Sequence, residues 1–191
     1  MSYWAILSDI EGNLNAYETV LADIKKQKIQ IEEIYILGDI VGLHPDSNKV
    51  IDRLQKIHKD ELTPRICSGC WEEQCFILHN LSNDSEPSEL KEKYGADAIE
   101  HLWQYVDRSV VQWLRSLEFG FLELDCLLIH GSTVGASDEL TPITSPIILL
   151  DRLQRMNANN LFCGRSGRAF QYHLESGSVS SEIISLDDRS Q

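Results

Sequence analysis

The sequence predicts an α/β fold built on a parallel sheet with crossover helices, and three observations predict it. The first 70 residues alternate strand, helix, strand, helix, strand. The strands are short apolar runs while the helices carry apolar residues at helical spacing. Polar or reactive side chains then stand at the exits of successive strands, where open α/β sheets bind their ligands.

The elements follow in order. Residues 2–8 read as a buried strand, and its exit "SDIEGN" sets two acids, Asp9 and Glu11, two positions apart. Residues 14–28 form a helix with Leu14, Tyr17, Val20, Leu21 and Ile24 on one face. Glu33–Leu37 is a second strand, ending in Gly38-Asp39, and a second helix starts at Pro45 and Asp46. "TPRICSGC" is a short third strand, residues 71–80 look helical, and "NDSEPSE" is a polar loop that starts another helix. Residues 89–117 are helical with a break near Asp107. "FGFLELDCLLIHG" gives two strands around a turn at Asp125, followed by a polar loop over 132–145. A helix over 146–156 starts at Pro146, "NNLFCG" is a strand, and residues 169–186 form a hairpin. The expected organisation is one domain over 1–186 with a helical insert at about 71–117, and a frayed tail at 187–191.

Composition narrows the function. Hydrophobic content of 42% and charged content of 25% are those of an ordinary globular protein. No apolar run approaches the ~18 residues of a membrane span, and no signal-like leader is seen, so a cytoplasmic protein with no membrane association is expected. A net charge of −13 repels phosphate backbones, so nucleic acid is not an expected partner. The odd cysteine count, 5, argues for reduced thiols. Cys67-x-x-Cys70 with Cys75 lacks a completing fourth ligand, so small buried residues are preferred over zinc.

Five strand ends deliver polar or reactive groups to one rim: Asp9 and Glu11; Asp39; Cys70, Trp71 and Glu72; His130; and Arg165 with Arg168 behind it. Each has a plain structural alternative, such as a helix-capping Asp, a core His or a turn in "GRSGR". Their convergence favours a site.

"SDIEGN", "GDIVG", "SGCWEE", "IHGS" and "CGRSGR" together resemble, in order and spacing, the motifs of the calcineurin-like metallophosphoesterase superfamily, from residue 2 to about 170. The resemblance implies a four-layer α/β/β/α sandwich with two mixed β-sheets. It also implies a centre of two divalent ions bridged by an Asp and activating a hydroxide for attack on phosphorus. Asp9, Asp39 and His130 match family metal ligands. Glu11 stands at a ligand His, Cys70 at the Asn ligand, and Arg165 and Gly167 at the two histidines of the last motif. Trp71 and Glu72 occupy the family's catalytic positions in the third motif.

These departures point away from a dinuclear centre. A guanidinium has no lone pair and repels a cation by about 4 kcal/mol per unit charge at ~4 Å and an effective dielectric of ~20. No cofactor is expected, or at most one divalent ion, Mn or Mg, on Asp9, Glu11, Asp39 and His130. The reading is a pseudoenzyme whose cleft, with Arg165, Arg168 and Cys70, binds a phosphorylated ligand or a protein partner. The alternative is an active phosphoesterase with a single or rebuilt metal centre, which His44, His101 or His173 would help complete. Oligomeric state is left open.

Overall fold

A computed structural model describes residues 3–82, 88–175 and 178–183. The chain runs β1 (Tyr3–Leu7), α1 (Leu14–Lys26), β2 (Ile31–Leu37), α2 (Ser47–Gln55) and β3 (Arg65–Cys67). Four helices follow: α3 (Cys70–Leu78), α4 (Ser88–Tyr94), α5 (Ala96–Tyr105) and α6 (Arg108–Leu114). Then come β4 (Gly120–Glu123), β5 (Cys126–Ile129), α7 (Pro146–Gln154), β6 (Asn160–Cys163), β7 (Phe170–Glu175) and β8 (Ser178–Ile183). The predicted tail at 187–191 and most of the polar loop, 83–87, lie outside the described residues.

β1, β2 and β3 form a sheet in that order, parallel throughout. Among the described residues, mixed pairing is confined to the second sheet, where β4 and β5 are antiparallel and β5 and β6 parallel, so the first of the two sheets expected to be mixed is parallel. A parallel bridge from Cys67 to Glu118 links the two sheets. β7 and β8 pair as an antiparallel hairpin.

Three apolar clusters define four layers. Tyr17, Leu21, Val50, Ile51 and Leu54 from α1 and α2 pack with Ile34 and Ile36 on one face of the first sheet. Tyr35, Leu37 and Cys67 from the other face meet Phe121 and Leu128 of the second sheet. Leu127 and Ile129, on the far face of that sheet, pack with Leu153 from α7 and with Ala158. Alternation along β2 and β5 makes this possible, because successive side chains enter different clusters. The result is the expected α/β/β/α sandwich.

Several details differ from the sequence reading. β3 stops at Cys67, since Ser68 leaves the ladder to donate its N–H to Glu118 O at 2.8 Å, and α3 starts by Cys70. The helical insert breaks at Gly95, with φ of 84°, as well as at the predicted Asp107. Val20, placed on the apolar face of α1, is 41% exposed. Among the described residues, no helix is long and apolar enough to cross a membrane.

Candidate functional site

The parallel strands exit toward one rim, and the backbone there is unusual. Asp9, Glu11 and Asp39 have φ of 56°, 49° and 51°, a left-handed conformation that costs a non-glycine residue about 1 kcal/mol or more. Glycines carry the neighbouring close approaches. A Cβ on Gly38 would lie 2.5 Å from the Cα of Gly69, and one on Gly69 would lie 2.5 Å from Asp39 Oδ1.

Asp39 is the hub. Its Oδ1 accepts the Trp71 backbone N–H at 2.7 Å, and its Oδ2 lies 3.1 Å from His130 Nε2. The other ring nitrogen of His130, Nδ1, is 2.7 Å from Leu37 O, so it carries the proton and leaves Nε2 facing the carboxylate. Burial pulls the His130 pKa down, but the hydrogen bond and charge of Asp39 outweigh it and the net shift is upward. Asp9 completes a triangle: one ligand atom each from Asp9, Asp39 and His130 lie within 4.8 Å of one another. Ser8, which the sequence reading passed over, fixes Asp9 by donating to Oδ1 at 2.9 Å. Burial and then the charge of Asp39 raise the Asp9 pKa.

Glu11 and Glu72 are engaged elsewhere. Glu11 accepts from Trp71 Nε1 at 3.3 Å, and its pKa is raised, chiefly by burial. Trp71 is buried and packs on Tyr94 of α4 with ring centroids 4.9 Å apart, tying the helical insert to the rim. Glu72 is fully buried. Oε2 takes the N–H groups of Gly69 at 2.7 Å and Asp39 at 2.8 Å, and Oε1 those of Ile40 at 2.9 Å and Val41 at 3.1 Å. Burial first, and the Asp39 charge second, push its pKa up to about 7. The acid at this motif position therefore holds the loop after β2; it is a positioning group. An acid three residues after a helix N-cap closes back on the cap N–H, as Glu72 does on Gly69.

The loop after β6 brings Arg165 under the rim. Its backbone N–H and that of Gly164 both donate to His130 O at 2.9 Å. Its side chain is buried, and its positive charge lowers the pKa of both Asp9 and Glu11. Gly167, with φ of 58°, would direct a Cβ to within 3.9 Å of Asp9 Oδ2. Arg168 is exposed on the same loop, its N–H donating to Ser166 Oγ at 3.3 Å. Cys70 is buried at the start of α3 and lies outside the Asp9–Asp39–His130 group. Burial drives the neighbouring Cys67 thiol up to about 12, which keeps it neutral. Among the described residues neither His44, His101 nor His173 joins a cluster of metal-ligating groups.

No family model matches the chain. An uncharacterized protein of Methanocaldococcus jannaschii is 39% identical over 54 residues, a stretch that covers 28% of this chain and 21% of that protein. Among solved structures, a metallophosphoesterase from Sphaerobacter thermophilus superposes with a TM-score of 0.60 at 20% identity, over 88% of this chain and 62% of its own. The fold is that of a metallophosphoesterase. A hypothetical protein from Pyrococcus horikoshii OT3 shares the arrangement with a TM-score of 0.64 at 21% identity, over 90% of this chain and 72% of its own. The chain thus spans less than two thirds of the Sphaerobacter metallophosphoesterase and about a fifth of the curated relative.

Asp9, Asp39 and His130 are the residues that could hold a divalent ion among the described residues. They offer two carboxylate oxygens and an imidazole nitrogen, a set suited to Mn. The remaining family positions hold a carboxylate bound to Trp71, a thiol, a guanidinium and a glycine.

Proposed function

We propose that this chain is a metallophosphoesterase-fold protein that has lost two-metal hydrolysis and uses its cleft to bind a phosphorylated ligand. Phosphoryl oxygens would be met by the Arg165 guanidinium, with Arg168 at the rim, and at most one divalent ion would sit on Asp9, Asp39 and His130. The observation that carries this reading is the buried Arg165 acting on Asp9 and Glu11, at the position where the resembled family places a ligand histidine. A fixed cation there neutralises carboxylates without recruiting a second metal, and guanidinium is well suited to phosphoryl oxygens. A protein partner bearing a phosphorylated side chain fits the same chemistry.

A second reading, a mononuclear phosphoesterase, draws on one specific feature. The pKa values of Asp9 and Glu11 stay raised in spite of Arg165. Burial is the first cause, but the charge of Asp39 adds to it at both residues, and a cation between these carboxylates would relieve that repulsion.

Metal titration separates the two readings. Calorimetry with Mn is expected to give no more than one ion per chain, abolished in Asp39→Asn, together with no turnover of bis(p-nitrophenyl) phosphate. Binding of a phosphoserine peptide is expected to weaken at least about 10-fold in Arg165→Ala. One Mn with turnover lost in Asp39→Asn would establish the mononuclear enzyme. Two Mn per chain with turnover would overturn the main proposal.

A further inference from the structure

The helical insert is docked through a buried histidine. His79 closes α3 and is 4% exposed. Both of its ring nitrogens are buried, and neither has a hydrogen-bond partner among the described residues. One face of the ring lies against Trp103 of α5, with centroids 4.6 Å apart and planes 25° from parallel. Trp103 itself is 56% exposed, so its indole stands between His79 and water.

The backbone of His79 is pinned. Asn80 has φ of 55°, and the Leu81 N–H reaches back to Phe76 O at 2.8 Å, the bond that closes a helix through a left-handed residue. The His79 N–H donates to Cys75 O at 3.0 Å, and Leu81 packs against the core. With the end of α3 fixed, the element that can give way is α5, which buries only Ala98 and Leu102.

A neutral ring suits this position and a charged one does not. An imidazolium buried there would leave two N–H donors unsatisfied and its charge unpaired. Asp107 and Arg108, at the start of α6, act on the ring with opposite signs. Asp107 is also taken up by Asn48 of α2, whose side chain donates to Oδ2 at 3.2 Å. On α5, Asp97, Glu100 and His101 are exposed, and on α3, Glu72 and Glu73 stand in the first turn, at the far end of the helix. Burial first, joined by Arg108, outweighs the Val106 backbone and Asp107 and lowers the His79 pKa from the ordinary 6.5.

We propose that His79 is a pH-sensitive latch of the helical insert: its neutral ring docks α5 on the end of α3, and a proton on the ring releases α5. The ring meets water only once Trp103 has moved away. Below pH 6.5 the released ring takes up a proton that the docked ring refuses, so acid favours release and neutral pH favours docking. Release reaches the rim, because α4 packs on α5 and carries Tyr94, the ring stacked on Trp71. The latch does not depend on what the cleft binds.

The test is amide hydrogen exchange of the full chain at pH ~7.5 and ~5.5, corrected for the intrinsic pH dependence of exchange. Protection of amides within 100–105 of α5 is expected to fall at least about 3-fold at the lower pH, while that of 34–37 in β2 and 127–129 in β5 holds. His79→Phe keeps an aromatic ring against Trp103 and removes the titration, so the change in α5 should shrink to less than about 1.5-fold. NMR titration of the His79 ring in the unaltered protein should give a midpoint below 6.5, a measurement that stands even if His79→Phe does not fold. A midpoint at or above 6.5, equal α5 protection at the two pH values, the same fall in His79→Phe, or an equal fall in β2 and β5 would each overturn the proposal.

Discussion

Glu72 has no acceptor capacity left over. Each of its oxygens already takes two backbone N–H groups, so no lone pair is left over for an ion. In Glu72→Gln one oxygen becomes an amide nitrogen that faces N–H donors, and a buried network loses two bonds at once. Urea denaturation should show a loss of about 2–4 kcal/mol with an unchanged m-value. A loss within about 0.5 kcal/mol of zero would show that the loop after β2 is held by something else. The acid itself was legible in the sequence as a member of a motif. Its direction was not, because strand-end reasoning points side chains outward, whereas the third residue of a helix turns back on its own cap. The left-handed backbone at Asp9, Glu11 and Asp39 was equally hidden. Asp visits that region readily and gives no warning, and Glu11 is held there by contacts that only the fold brings together: its N–H donates to Asp39 O at 2.8 Å, and its side chain meets Trp71.

At the scale of an element, the start of α1 fixes the rim from below. Asn13 Oδ1 accepts the Ala16 N–H at 3.0 Å, satisfying one of the open donors of the first turn. Immediately before it, Gly12 has φ of 79°, and a Cβ there would lie 2.5 Å from Ser47 Oγ, so the beginnings of α1 and α2 are packed backbone to side chain. Asn13→Ala should therefore cost about 1 kcal/mol, seen in a thermal melt as a fall of about 2–4 °C for a domain of this size. Asn13→Asp, which keeps an acceptor at the cap, should recover most of it. α1, β2 and α2 were legible because their apolar residues repeat at the period of the element and recur over several turns or pleats. β3 and the insert were harder. β3 has only three residues, too few for a period to show. The break at Gly95 depends on a positive φ that any glycine permits and no neighbouring residue demands.

For the whole molecule, the layer order was legible only through the motif resemblance, since the contacts that build it are distant in sequence. β5 beside β6 and Cys67 beside Glu118 are pairings that no local pattern encodes. Acid-range stability is likewise set by one such distant cluster. Glu61, after α2, binds Lys25 of α1 at 2.8 Å and Arg53 of α2 at 2.6 Å, with its side chain 10% exposed. The hydrogen bond from Lys25, followed by that from Arg53, overcomes the cost of burial and lowers its pKa from 4.5 to about 2. Above pH 4.5 the carboxylate is ionised in both folded and unfolded chains, so the pairing contributes in full. As the pH falls from 4.5 toward about 2, the unfolded chain takes up a proton that the folded chain refuses, and the contribution drains away. Glu61→Gln has no such titration. Urea unfolding from pH 7 down to pH ~3 should therefore show the stability curves of the two proteins converging as the pH falls. A gap as wide at the acid end as at neutrality would mean that Glu61 keeps its ordinary pKa in the folded protein.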